Sequence, residues 1–321
     1  MKRLYPRALA LLALGGTASV LGVVGREALK STPAPPQKFS RISQAAEQSL
    51  SHFDPYLAVF LVIAFAAVLF LRRKRPEPTP QAEMPPAPLA PVQAAGLVLL
   101  WAVGQAAATI PILLIALVAS RFGGEISDVL ALFLALLFGT LLGVLLPLFI
   151  AFKGRLPDRA RLGLRLPHKG KEFLWGFLAF LSFPALVAIG TLLTLPVSKF
   201  DPFQTNPVFS IAFSTSAAAD WILLFALVAL LGPVIEEFLF RGLLYRSLRT
   251  LWSPGPAIII SAVFFASIHP SLATLLPITF LGMALAYLYE KTGSIVPGMV
   301  AHGLYNGLTL ALVLWLQQTM A

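Results

Sequence analysis

Seven times between residues 95 and 316 the chain runs long stretches with hardly a charge, and this constrains its fold more than any other feature. The runs lie at about 95–119, 129–152, 173–197, 219–249, 256–269, 271–289 and 294–316. Several reach the about 20 residues a helix needs to cross a hydrocarbon core of about 30 Å. None alternates apolar and polar residues as barrel strands do, so the spans are helices and the fold class is an all-α polytopic transmembrane bundle. The composition agrees: 58% of residues are hydrophobic and 12% charged, against roughly a quarter charged in a soluble domain. The net charge of +10 does not point to nucleic acid, because the basic residues gather at the ends of apolar runs, as in cytoplasmic loops. The absence of cysteine excludes disulfides, thiolate metal sites and a cysteine nucleophile.

The organisation reads as three parts. Residues 1–75 form an N-terminal hairpin: a basic head, "MKRLYPR", an apolar stretch from Ala8 to Val24 that reads as an uncleaved anchor in preference to a signal peptide, and a span from Pro55 to Leu71 that stops at "RRKR". Residues 76–94, "PEPTPQAEMPPAPLAPVQA", are too rich in proline for helix and form a spacer. Residues 95–321 form the core, bringing the total to about eight or nine spans. The loop from Lys153 to Glu172 holds seven Lys or Arg against two acids and is assigned to the cytoplasm, with Arg246 and Arg249 on the same side. A bacterial plasma membrane is the expected location, and no internal repeat of the transporter kind is visible.

Within this hydrocarbon the segment "GPVIEEFLFRG", residues 232–242, carries three charges. An ionised group at mid-bilayer costs roughly 2.5–3.5 kcal/mol even on the lenient scale, so such groups are rare and usually functional. Glu237 and Arg241 lie four residues apart on one helical face and form an expected ion pair. Glu236 has Phe240 at that spacing and is left without a partner, beside a kink expected at Pro233. Asp220 reads as a helix N-cap. Downstream, "FFASIHP" sets Phe265 one turn before His269, and "AHGLYNG" sets His302 one turn before Asn306, with Gly303 and Gly307 on a neighbouring face suited to close helix contact. Counting 1.5 Å per residue from the helix ends brings Glu236, His269 and His302 to similar depth, in one polar pocket opening toward the cytoplasm.

A desolvated carboxylate is a good general base for water, and imidazole and carboxamide groups can hold the oxyanion formed when water adds to a peptide carbonyl. Other protease designs find no support: there is no H-E-x-x-H, no aspartate pair inside the spans (Asp54, Asp128, Asp158, Asp201 and Asp220 lie at ends or in loops), and Ser294 in "TGSIVPG" reads as a turn or cap. A zinc site on Glu236, His269 and His302 is a variant of the same reading. From other classes come a non-catalytic immunity or scaffold protein that binds without turnover, and a transporter with a carboxylate proton relay.

The motifs E-E-x-x-x-R (Glu236, Glu237, Arg241), F-x-x-x-H (Phe265, His269) and H-x-x-x-N (His302, Asn306), in this order on successive late spans, resemble the CPBP family of CAAX prenyl endopeptidases and bacteriocin-processing or immunity proteins, also called Abi. The resemblance implies an intramembrane glutamic endopeptidase with no required cofactor or metal, acting on a membrane-associated or prenylated-type peptide or protein in contact with membrane lipid. It implies that Glu236 activates water, Glu237 and Arg241 orient the site, His269 helps hold the water, and His302 with Asn306 forms the oxyanion pocket.

Overall fold

The structure, a computed structural model, describes residues 87–124, 126–154, 162–166, 170–194, 215–269 and 272–320, with positions 159, 208, 211 and 212 besides. The N-terminal hairpin, the "RRKR" stop and most of the proline-rich spacer lie outside the described residues. So does Pro270.

Among the described residues there is no strand, and seven helices correspond to the seven apolar runs. They are α1 (Pro91–Arg121), α2 (Asp128–Ala151), α3 (Lys171–Thr194) and α4 (Ala218–Leu248), then α5 (Pro254–Ser267), α6 (Leu272–Thr292) and α7 (Val296–Met320). Six are long and apolar enough to cross a membrane, so this is an integral membrane protein. The exception, α5, has 14 residues and reaches only about 21 Å. Helix α1 starts four residues before the expected 95: Pro91 is tolerated in the first turn, and Gln93 Oε1 accepts from the Ala90 N–H at 3.0 Å. Asp220 is not an N-cap. Ala217 holds that position, and Asp220, within the first turn, accepts a 3.0 Å bond from the Ser127 hydroxyl at the start of α2.

Prolines explain two of the three π-helical stretches among the described residues; the third, Phe238–Tyr245 in α4, has no proline after it in that helix. In α2 a π-helical stretch, Leu141–Leu145, ends with the Leu146 N–H bonded to the Leu141 carbonyl, and Pro147 follows. In α4 the stretch Ala226–Leu231 ends the same way, with the Gly232 N–H on the Leu227 carbonyl and Pro233 next. A proline cannot donate the bond that would continue either ladder, so each helix widens just before it. The deformation expected at Pro233 thus takes the form of a wide turn inside one 31-residue span. In α3 the chain breaks at Leu181–Ser182, just before Pro184.

Lipid offers no hydrophobic drive between helices, so close backbone contact holds such bundles together, and small residues permit it. A Cβ on Gly143 would sit 2.6 Å from Trp101 Cα, which fixes α1 against α2. On Gly176 it would meet the Pro297 carbonyl at 2.7 Å, and on Gly190 Pro277 Cα at 2.6 Å, which dock α3 on α7 and α6. On Gly303 it would meet the Ala229 carbonyl at 2.5 Å, and on Gly307 Ala229 Cβ at 3.5 Å, so the expected small-residue face of α7 packs on α4. At the basic end, residues 162–166 are tied to the α6–α7 turn: Arg165 Nε donates to the Gly293 carbonyl at 2.8 Å and the Ser294 hydroxyl donates to the Arg165 carbonyl at 2.6 Å. Ser294 also accepts from the Val296 N–H, the turn and cap role expected of it. Beside them Glu290 receives Arg249 Nε at 3.0 Å and the Tyr245 hydroxyl at 2.7 Å, joining α4 to α6.

Gly143→Val is expected to destabilise the bundle by about 1–3 kcal/mol through overpacking. Thermal unfolding in detergent checks this, and Gly96→Ala, where an added Cβ meets nothing within 4 Å, serves as the control.

Candidate functional site

The charges on α4 have no water to fall back on. Arg241 and Glu237 are both 0% exposed, and Arg241 Nη1 lies 2.8 Å from Glu237 Oε1. Local geometry alone produces this pair, since residues four apart on a helix are neighbours. Three further groups box in the guanidinium. Its Nη2 donates to the Gly282 carbonyl of α6 at 3.1 Å, its carbon lies 4.5 Å from the centroid of the Phe265 ring of α5, and Phe240 packs on that ring edge-on at 5.1 Å. A guanidinium over an aromatic face is attracted by the ring quadrupole, the more so without water. Among the described residues Arg241 Nε and Glu237 Oε2 find no hydrogen-bond partner.

Helix α7 brings His302, 3% exposed, between the two glutamates. Its Nδ1 lies 3.3 Å from Glu237 Oε1 and its Nε2 lies 3.8 Å from Glu236 Oε2. A carboxylate can only accept, so the bond to Glu237 places a proton on Nδ1. The second distance is too long for a direct bond and suits one bridged by water. Glu236, 18% exposed at its side chain, accepts no hydrogen bond among the described residues. It is the uncommitted carboxylate of the cluster.

The expectation that α5 runs through His269 is corrected. The helix ends at Ser267 with Ile268 as its C-cap, so His269 sits just past a helix end. The residue before a proline is disfavoured in the helical region, and Pro270 follows. His269 Nδ1–H donates to the Phe265 carbonyl at 3.0 Å, one of the carbonyls a helix end leaves unpaired. The Phe265 ring meets His269 edge-on at 5.2 Å and His302 at 5.7 Å. It is therefore the common neighbour of Arg241 and both histidines.

Asn306 is tied to the wide turn of α4. With Gly232 bonded to Leu227, the Val228 carbonyl would next pair with residue 233, a proline without an N–H. Asn306 Nδ2 donates to that carbonyl at 3.0 Å. The amide keeps a second N–H beyond this bond.

Two contributors carried no assigned role in the sequence. Phe265 stood in its motif only as a spacer for His269. Gly298 stood in "VPGMV", one turn before His302 on the same face; a Cβ there would sit 2.5 Å from Glu237 Oε2. Only glycine lets α7 lie over the carboxylate. No group of three His, Cys, Asp or Glu side chains among the described residues is disposed to hold a metal ion.

The fold and this cluster define an integral membrane helix bundle with a buried carboxylate, imidazole and guanidinium array. Residues 218–308, which contain all seven residues of the three motifs, match the family model described as type II CAAX prenyl endopeptidase Rce1-like. The resemblance read from the motifs holds over that segment. Over 97 residues the chain is 32% identical to a Bacillus subtilis (strain 168) protein named "Putative membrane peptidase YdiL", covering 29% of this chain and 40% of that one. Over 169 residues it is 25% identical to an Escherichia coli protein named "Uncharacterized 24.3 kDa protein", covering 51% and 73%. No solved structure matches.

Removing one partner of a buried ion pair leaves the other charge uncompensated, so Arg241→Met is expected to cost about 3–5 kcal/mol, with Glu237→Gln added to it restoring part of the loss. A double-mutant cycle on thermal unfolding checks the coupling.

Proposed function

We propose that this protein is an intramembrane endopeptidase of the CAAX-protease type, which hydrolyses a peptide bond of a membrane-associated or prenylated-type peptide or protein with water activated by Glu236. The observation that carries this reading is the asymmetry of the two glutamates. Glu237 is committed to Arg241 and His302, whereas Glu236 accepts no hydrogen bond among the described residues and faces the outer nitrogen of the same imidazole at 3.8 Å. The match of residues 218–308 to a prenyl endopeptidase family supports it.

A water molecule held between Glu236 and His302 Nε2 donates one hydrogen bond to each. As its oxygen attacks the carbonyl carbon, Glu236 takes a proton and the carbonyl electrons move onto oxygen. Asn306, through its second N–H, stabilises that oxyanion, and His302, lining the same pocket, accepts at Nε2 from the hydroxyl left on the carbon, while His269 helps fix the water. Collapse of the intermediate breaks the C–N bond, the proton on Glu236 passes to the leaving amine, and the proton of the hydroxyl leaves through His302 to solvent. The products are a carboxylate and a free amine. Glu237 and Arg241 hold His302 in register throughout. The reaction runs within a plasma membrane of bacterial type, with the pocket approached from the side of Arg246 and Arg249, which the positive-inside rule assigns to the cytoplasm.

Glu236→Gln is expected to lower cleavage by about 10²–10⁴-fold, the usual contribution of a general base, with membrane abundance unchanged. Comparing membrane peptidomes of wild type and variant checks this and identifies the substrate; full activity in the variant overturns the mechanism. A strong chelator is expected to leave activity within about twofold, whereas loss restored by zinc shows Glu236, His269 and His302 acting as ligands.

A further inference from the structure

Behind the candidate site, a groove of about 490 Å³ runs between α3 and α6, lined by Trp175, Leu178 and Phe183 on one side and Tyr287, Leu288 and Lys291 on the other. Its volume lies within the about 300–1,000 Å³ typical of ligand pockets. Its walls follow from sequence spacing. On α6 residues 284, 287, 288 and 291 form one stripe at helical period, and Gly282, whose carbonyl holds Arg241, lies on the opposite side of the helix. The groove and the charged cluster thus share α6 as a common wall.

The two ends of the groove differ chemically. At its inner end lies the break in α3 at Ser182, whose hydroxyl donates back to the Ala179 carbonyl at 2.7 Å, so that its proton is not offered to the groove. The outer end carries Trp175 and Lys291, with the Lys291 ammonium 5.4 Å from the Tyr287 ring centroid. Lys171, exposed, stands one turn before Trp175 on the same face of α3. Tryptophan and tyrosine favour the headgroup level of a bilayer, and lysine reaches to it with its stem along apolar surface. An apolar channel with two ammonium groups and an aromatic pair at one end matches one kind of occupant: an acyl chain inside, and a negatively charged headgroup at the mouth.

We propose that this groove is a binding site for an anionic phospholipid, with one acyl chain between α3 and α6 and the headgroup phosphate held by Lys171 and Lys291. The site is separate from the proposed peptide hydrolysis and does not depend on it. By lying against the outer face of α6 the lipid supports the helix whose inner face presents the Gly282 carbonyl to Arg241.

The test uses the full chain in nanodiscs containing, at equal mole fraction, brominated phosphatidylglycerol or brominated phosphatidylcholine. The signal of Trp175 is isolated by subtracting the fluorescence of Trp175→Phe. Two lysines near a membrane surface enrich an anionic lipid on the order of tenfold, so at the same low mole fraction the glycerol lipid is expected to quench Trp175 several-fold more than the choline lipid. Lys171→Gln with Lys291→Gln, both at exposed positions, is expected to abolish the difference while leaving the protein monodisperse. Equal quenching by the two lipids in wild type overturns the proposal, since the groove would then hold only bulk lipid. An undiminished preference in the double variant also overturns it, since the headgroup would then be held elsewhere.

Discussion

The fully buried pair of Glu237 and Arg241 is the contact on which the centre of this bundle depends. Each charge alone would be costly in hydrocarbon, and their mutual bond at 2.8 Å leaves further donors and acceptors to satisfy. Those needs recruit neighbours from three other helices: the Gly282 carbonyl from α6, the Phe265 ring from α5 and the His302 imidazole from α7. The pair therefore acts less as a bond within one helix than as the point around which four helices are registered.

The glycines complete that registration by letting backbones touch. Gly303 meets the Ala229 carbonyl, in the stretch where Pro233 has opened the hydrogen-bond ladder of α4, and Asn306 one turn away caps the Val228 carbonyl. Gly298, one turn the other way, makes room for the Glu237 carboxylate. A single face of α7 thus reads the irregular backbone of α4 with Asn306 and its charges with His302. The proline that disturbs α4 and the residues that answer it form one unit.

Much of this was legible in the sequence, for reasons that are local. Run length and lack of charge marked the seven helices, and i, i+4 spacing marked the ion pair, because both depend only on the geometry of one helix. Depth counting placed Glu236 and His302 at one level, and they do face each other. What the sequence left open depended on how helices rotate against one another. That His302 bonds Glu237, 65 residues away, follows from the azimuth of α7, which no periodicity fixes. The position of His269 beyond the end of α5 turns on where the helix stops, and helix ends are harder to read than helix cores. Phe265 looked like filler because a ring's value to a guanidinium appears only once the two are stacked.

One consequence concerns the order in which the protein is made. The charges of Glu237 and Arg241 neutralise each other within a single turn, so α4 can enter the bilayer before any later helix has been synthesised. Glu236 meets the imidazole of His302 only after α7, the last helix described, has been threaded in and seated on Ala229. In the nascent chain Glu236 thus stays apart from its imidazole neighbour until α7 is in place, and the cluster is completed by the last of the described helices.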